Sequence, residues 1–344
     1  MTTRSTRGRD DDQAPPQRDA SAIVFVVLMV LIGSTTATAA KFAVRELPTS
    51  LLPIARFGIA GLFLIPIGLR DGRLLRMLRE DLPRVTAAAA CCVPINQFFF
   101  LNGAKLAPTT HVGLIYATCP LMVLLLACLL GQEKMRSSRL AGILLSIVGA
   151  GVLAVGNIGA HGAGTGPRTL TGDLLLVGAV MSWAGYMTVN KPLVPKYGSL
   201  TVLAGTFLVG ILLDLPIALA QSGSWSGVGT ASRSAWLGLI YLGLVVTVFG
   251  LYFQNQALKR LDASQVAAVG NAAPLLTVVW GVWLLGEAVT PSLIVGGAMI
   301  LGGVVWTSLP DRSGAKIGAK SKDRVVPSPS PSPSPTAIAA EVSS

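Results

Sequence analysis

The feature that most constrains this chain is a repeated absence of charge. Stretches free of Asp, Glu, Lys and Arg cover residues 20–40, 85–104, 106–132, 140–167, 174–190, 234–258, 263–286 and 288–310. Most reach the roughly 20 apolar residues that a helix needs to cross a hydrocarbon core of about 30 Å. No water reaches the backbone there, so each segment must satisfy its own N–H and C=O groups as helix. Charged residues make up 12% of the chain, against about 25% in soluble domains. A soluble α/β protein would need charged helix faces between the apolar runs, and they are missing. The expected fold class is an all-α polytopic membrane protein, with the lipid bilayer as its first partner.

The chain is also written twice. At an offset of 154 residues Pro120 meets Pro274, Glu133 meets Glu287, Gly142 meets Gly296 and Gly149 meets Gly303. At an offset of 153, "FFFLNGA" (98–104) meets "LYFQNQA" (251–257). At 150, Lys41 meets Lys191, Phe57 meets Phe207 and Pro66 meets Pro216. An ordered series of such matches with small drift marks two copies separated by loop insertions. The apolar pattern predicts ten transmembrane spans, near 21–40, 48–69, 84–104, 107–130, 138–157, 171–190, 199–220, 234–256, 263–285 and 291–309. Five per copy is odd, so the copies form two inverted five-helix repeats. The expected organisation is a cytoplasmic tail (1–20), a first repeat (21–157), a Gly-rich linker (158–170), a second repeat (171–309) and a cytoplasmic Ser/Pro-rich tail (310–344). The apolar run 22–33 and "TATAA" before Lys41 also have the form of a cleaved signal peptide. Its pairing with a segment of the second copy favours a retained helix.

Lys and Arg set the expected orientation. With the N-terminus inside, 21 basic residues fall on the cytoplasmic side and 5 outside, with Arg56 in the membrane. Both termini are then cytoplasmic. The net charge of +11 is a topology signal, and no nucleic-acid partner is expected. The cysteines Cys91, Cys92, Cys119 and Cys128 all lie in apolar runs, and His111 and His161 are far apart. No metal and no cofactor are expected.

Two charges fall inside spans, where charge is costly and usually functional. At 1.5 Å per residue, Arg56 lies about 12 Å into span 2 and Asp214 about 9 Å from the end of span 7. Depth allows an Arg56–Asp214 ion pair; the alternative is that each finds its own partners. Pro120 and Pro274 break spans 4 and 9, each freeing the carbonyl four residues earlier. Such breaks at the repeat interface mark transporter sites. Around them the candidate lining is Tyr116, Trp183, Tyr186 and Asn271, with Asn96 and Gln97 on span 3. These supply amides, phenols and an indole around a cavity expected to hold no fixed charge. Glu133 and Glu287 end spans 4 and 9, and each is expected to cap the helix that follows. Thr290 before Pro291 fits an N-cap with Pro at the first helical position. Spans 5 and 10, "GILLSIVGAG" and "GGAMILGG", carry small residues suited to close packing or to a homodimer face.

Taken in order, "NGA…CPLMVLLLACLLGQE…GILLSIVGAG" and "NQA…APLLTVVWGVWLLGE…GGAMILGG", with "GDLLLVGAVMSWAGYMTVNK" between them, resemble the EamA family of the drug/metabolite transporter superfamily. The resemblance covers roughly residues 21–309. It implies a ten-helix carrier of small metabolites, often an exporter. Small multidrug relatives carry a glutamate in the first helix; here "SAIVFVVLMVLIGSTTATAAKF" holds no acid. The expected function is a secondary transporter that exports a small polar or amphipathic substrate, amino-acid-like or drug-like, across the plasma membrane by alternating access. A carrier of sugar conjugates or lipid-linked precursors would need more basic lining than Arg56. A membrane-embedded enzyme would need an HExxH motif, paired mid-membrane acids or a Ser–His pair, and the sequence has none. A passive scaffold has no use for an inverted repeat.

The basic bias makes the orientation testable. In a cysteine-free background, a cysteine placed at 70–84 or 134–139 should resist an impermeant maleimide applied from outside. One placed at 159–169 should react, and the opposite pattern would reverse the orientation.

Overall fold

The computed structural model describes residues 20–70, 72–131, 137–155, 167–258, 270 and 272–308. Among the described residues the regular elements are all helical. Seven helices are long and apolar enough to cross a membrane: Ile23–Val44, Leu52–Arg70, Leu82–Leu106, Thr109–Leu129, Arg168–Asn190, Ser199–Ala220 and Arg233–Gln254. Three shorter apolar helices, Leu140–Ala154, Ala272–Leu285 and Pro291–Thr307, complete the set. Each falls on an apolar segment marked by the sequence.

Several spans are interrupted. The first divides into α1 (Ala20–Ser34) and α2 (Thr36–Val44). At the joint, Thr35 Oγ1 donates to the Ile32 carbonyl at 2.7 Å and meets the Tyr241 hydroxyl at 2.8 Å. Next come α3 (Leu52–Arg70) and the short amphipathic α4 (Arg73–Glu80). The third span is α5 (Leu82–Ala90), a π-helical turn (Cys91–Ile95) and α6 (Asn96–Leu106). The fourth is α7 (Thr109–Ala117) and α8 (Cys119–Leu129), broken at Thr118 just ahead of Pro120. Proline has no N–H and crowds the preceding turn, so the helix parts there. At the break Thr118 turns its hydroxyl back onto the preceding turn, donating to the Ile115 carbonyl at 2.6 Å.

There follow α9 (Ser137–Val155), α10 (Pro167–Asn190), α11 (Leu193–Tyr197) and α12 (Ser199–Ala220). The eighth span is α13 (Arg233–Ile240), a second π-helical segment (Tyr241–Phe249) and α14 (Gly250–Leu258). The last two are α15 (Ala272–Leu285) and α16 (Pro291–Ser308). Pro274 lies in the first turn of α15. Asn271 and Glu133 lie outside the described residues.

The two copies meet each other about a local two-fold axis. Phe57 and Phe207, 150 positions apart, meet directly as tilted rings with centroids 4.9 Å apart. Ser146 Oγ donates to the carbonyl of Ile300, its equivalent 154 positions on, at 2.9 Å. On either side of that bond the glycines pack in reciprocal pairs. A Cβ on Gly142 would lie 2.7 Å from the Gly303 carbonyl, and one on Gly149 2.8 Å from the Gly296 carbonyl. Gly142 and Gly296 are equivalents, as are Gly149 and Gly303. Hence α9 and α16 run antiparallel, and the copies are inverted with respect to each other. The small faces of spans 5 and 10 are therefore packed on one another. Their opposite faces expose Leu144, Ile147, Val148, Ile294, Val295 and Val305.

Two buried clusters complete the frame. One gathers Phe100, Leu101, Val112, Leu114, Leu176 and Ile300 from α6, α7, α10 and α16. The other gathers Phe57, Met77, Val93, Tyr186 and Phe207 around α3, the third span, α10 and α12.

The glycine contacts give a direct test. Gly149→Leu forces a side chain into the Gly296 backbone and should lower stability by about 1–3 kcal/mol, as overpacking does. Gly151→Ala, two residues on, meets nothing within 4 Å and should be neutral. Thermal unfolding in detergent measures both; equal midpoints would mean that α9 and α16 are not locked together.

Candidate functional site

Arg56 stands one turn into α3, half-buried, and beside the axis residue Phe57. Its Nε donates to Thr247 Oγ1 at 3.2 Å and its Nη1 to Gln97 Oε1 at 3.5 Å. The guanidinium carbon lies 5.4 Å from the centre of the Phe57 ring. No ion pair joins Arg56 to Asp214 among the described residues, although α3 and α12 pack side by side. The ion pair allowed by depth is thus not formed, and each charge has its own surroundings. Neutral acceptors and a ring face hold the cation. A guanidinium carries five N–H donors, and protein acceptors among the described residues take two of Arg56's.

Both acceptors are set by π-helical segments. Shifted by 153 positions, Cys91–Ile95 falls inside Tyr241–Phe249, and Pro94 falls on Thr247. Pro94 lacks the N–H that the helical ladder needs. At the matching place Thr247 Oγ1 donates to the Leu242 carbonyl, five residues back, at 2.8 Å. A π-turn adds a residue to the helix and re-aims the side chains beyond it, which is why such turns gather at functional sites. Beyond the first, Asn96 and Gln97 are 2% and 3% exposed. Asn96 Nδ2 donates to the Ala179 carbonyl at 2.8 Å, and Gln97 Nε2 donates to Asn96 Oδ1 at 2.9 Å. Ser182 Oγ donates to the Cys91 carbonyl at 2.6 Å. The third span is thereby fastened to α10, and Gln97 Oε1 is left to face Arg56.

Aromatic side chains surround this core. Tyr116 packs edge-on against Phe100 at 5.8 Å, and its hydroxyl adjoins the Asn96 amide. Trp183 and Tyr186 lie 5.0 Å apart on one face of α10. Tyr186 is buried with Phe57, Cys92 and Phe207. Of the lining expected from sequence, Asn96, Gln97 and Tyr116 gather near Arg56, and Tyr186 belongs to the buried cluster that contains Phe57. A fixed positive charge therefore belongs to this group, contrary to the uncharged lining expected. Thr247 escapes sequence reading because a lone threonine in an apolar run has no signature; only its alignment with Pro94 marks it. The buried His111–Asp173 pair, with His111 Nδ1 2.9 and 3.0 Å from the two carboxylate oxygens, has no spacing signal either.

Charged ties fasten both ends of the bundle. Glu287 accepts from the backbone N–H groups of Thr109 and Thr110 at 2.5 and 2.7 Å. It thus caps α7, not the helix that follows it in sequence as expected. Those first N–H groups have no intrahelical partner, and a carboxylate there also meets the positive end of the helix dipole. Lys41 Nζ donates to the Ala107 carbonyl in the turn before α7. Thr290 does cap α16, accepting from the Leu293 N–H at 3.2 Å.

A second pair of ties is related by the repeat. Glu46 accepts from the Ser232 N–H and hydroxyl, both at 2.6 Å. Lys196 donates to Asp81 at 2.7 Å and approaches Glu80 at 3.0 Å, and the Tyr197 hydroxyl donates to both acids. Lys196 lies 150 positions after Glu46, and Ser232 lies 151 after Asp81. The same device is therefore built twice, at equivalent places of inverted copies.

Hydrogen bonds from Lys196 and then Tyr197 hold the Glu80 and Asp81 carboxyls below the ordinary range. Hydrogen bonding to Asp81, then with Tyr197 and to Glu80, holds the Lys196 ammonium above it. Ser232 lowers Glu46 in the same way.

A sequence profile of the EamA-like transporter family matches residues 20–155 and 170–309. The chain is 28% identical over 291 residues to the probable terminal-alkyne amino-acid exporter of Streptantibioticus cattleyicolor, spanning 83% of this chain and 93% of that one. It is 28% identical over 292 residues to the aromatic amino acid exporter YddG of Ancylobacter novellus, spanning 84% and 98%. A solved crystal structure superimposes with a TM-score of 0.58 at 26% identity, over 85% of this chain and 97% of its own.

The tie at Lys196 has a defined response to pH and salt. The depressed carboxylates contribute fully above their unfolded pKa and are lost as pH falls through the folded one. The raised ammonium contributes fully below its unfolded pKa and is lost as pH rises through the folded one. The tie should therefore be indifferent to pH between roughly 6 and 9 and weaken with added salt. Lys196→Gln should reduce the salt dependence of the thermal midpoint; an unchanged dependence would show that the tie stabilises nothing.

Proposed function

We propose, on the premise that the chain belongs to the EamA-like transporter family, that it exports a small amphipathic carboxylate, an amino acid in the first instance, across the plasma membrane by alternating access. The observation that carries this reading is Arg56, a cation within a span with no acidic partner among the described residues and with donors to spare. A guanidinium fork matches a carboxylate with two parallel hydrogen bonds. Gln97, Asn96 and Tyr116 offer further polar atoms at its side, and Trp183 with Tyr186 offer an aromatic wall nearby. Charge at one end and rings at the other is the chemistry of an amphipathic amino acid. The two relatives named above are themselves described as amino-acid exporters, which supports both the substrate class and the direction.

In this reading all ten apolar helices cross the bilayer, with both termini in the cytoplasm as the basic bias implies. The two copies rock about the Phe57–Phe207 contact. The Glu46–Ser232 and Lys196–Asp81 ties then sit on opposite faces, and opening one while keeping the other alternates access. A homodimer, where formed, would use the exposed outer faces of α9 or α16. A phosphorylated sugar or lipid-linked precursor fits less well, since Arg56 is a single cation.

Export assays test the reading. Cells expressing Arg56→Gln at wild-type membrane levels should export aromatic and other apolar amino acids about 10- to 100-fold less efficiently, the loss of one charge-assisted hydrogen-bonding partner. Arg56→Lys should restore part of the rate. Asn271→Leu, Tyr116→Phe and Trp183→Ala should each raise the half-saturating concentration. Wild-type export by Arg56→Gln would remove the carboxylate from the mechanism.

A further inference from the structure

Asp214 is a buried carboxylate that the proposed transport site does not use and that, unlike Asp173, has no cationic or histidine partner among the described residues. It is 6% exposed in α12, and its Oδ2 is buried without a hydrogen-bond partner. Arg56, the other charge at comparable depth, bonds Thr247 and Gln97 and makes no hydrogen bond or ion pair to Asp214. An ionised carboxylate left unpaired in a low-dielectric setting is strongly unfavourable. The fold does not need one here. The equivalent position in the first copy, 150 residues earlier, is Leu64, buried at 5% and followed two residues on by Pro66 as Asp214 is by Pro216. The same helix packs with a plain hydrocarbon at that point.

Asp214 is among the residues that line a cavity of about 350 Å³ between α3, α6 and α12. Phe98 and Phe99 wall it, their rings edge-to-face at 5.5 Å. Ser50, Asn102 and Gln221 add neutral oxygens that can accept hydrogen bonds. Aromatic faces, neutral acceptors and one carboxylate are what a desolvated ammonium requires, through cation–π attraction and charge-assisted hydrogen bonds. Phe98 and Ile217 at the rim are 57% and 47% exposed on the outside of the helix bundle. An apolar tail can therefore continue from the cavity over the lipid-facing surface.

We infer that this cavity binds the primary ammonium head of an amphipathic amine, with Asp214 as its counter-ion. It shares no lining residue with the Arg56 group, and the inference does not depend on what that group transports. The same head chemistry comes from two sources, a free long-chain amine or the ethanolamine headgroup of a phospholipid.

The experiment uses the full chain in nanodiscs of phosphatidylcholine alone. Octylamine, charged at neutral pH, should raise the thermal midpoint of the wild type by a few degrees more than 1-octanol, which has the same tail. Asp214→Asn should abolish that difference, and Asp214→Glu should retain part of it. A second measurement needs no variant: octylamine, and not octanol, should slow the modification of Asp214 by dicyclohexylcarbodiimide several-fold, read by mass spectrometry. If the source is lipid, adding phosphatidylethanolamine should raise the wild-type midpoint and blunt the octylamine effect, both only while Asp214 is present. If it is a free amine, phosphatidylethanolamine should change neither. Octylamine no better than octanol on the wild type, an equal response of Asp214→Asn, or no protection from the carbodiimide would each overturn the inference.

Discussion

The structure depends on a segment packing against an inverted copy of itself. On the axis a residue meets its own equivalent, so its shape must be complementary to itself. Phe57 meets Phe207 as tilted rings, and Ser146 meets Ile300 through a hydroxyl on a carbonyl. Off the axis each contact is made twice in mirror order, as in a two-fold dimer interface. The glycine pairs of α9 and α16 are the clearest case, because backbones at such distances admit no side chain on either strand of the pair. In lipid there is no hydrophobic drive to press helices together, and close backbone contact takes its place. Those helices brace the molecule, and the polar chemistry is carried by the others.

The copies stop matching at the two charges held within the spans. Arg56 corresponds to Thr206, which is fully buried, and Asp214 corresponds to Leu64. The π-helical segments match in place while their causes differ, a proline in one copy and a back-bonded threonine hydroxyl in the other. A shared backbone irregularity therefore presents a different acceptor from each side: Gln97 follows the first, and Thr247 lies within the second. The guanidinium is held between the two copies, by Gln97 of the first and Thr247 of the second.

Much of this architecture was legible in sequence, because the bilayer imposes length, apolarity and helix together. The apolar runs, the duplication and the break before Pro120 all follow from local constraints that a single segment expresses. The Thr290 cap is equally local, three residues from the N–H it serves. Glu287 shows where this ends. Its partners lie 177 and 178 positions away, and nothing near it in the chain distinguishes capping the next helix from capping a distant one. The partners of Arg56 were hidden for the same reason. Depth along a helix can be counted, while rotation about its axis depends on neighbours that only the assembled bundle supplies. The charge was therefore visible in sequence, and its place among Gln97, Thr247 and Tyr116 was not.

The setting of Arg56 has an electrical consequence. A charge inside a bilayer sits in the transmembrane potential, and moving one elementary charge through 100 mV changes its free energy by about 2.3 kcal/mol. In the alternating-access cycle proposed above, the empty carrier exposes this cation first to one aqueous phase and then to the other. With the cell interior negative, the state open to the cytoplasm is the one the voltage favours. Once a carboxylate is bound, the pair is close to neutral and the reorientation that follows feels little of the field. In that proposed cycle the membrane potential acts on the unloaded return and biases the molecule toward the side from which an exporter must load.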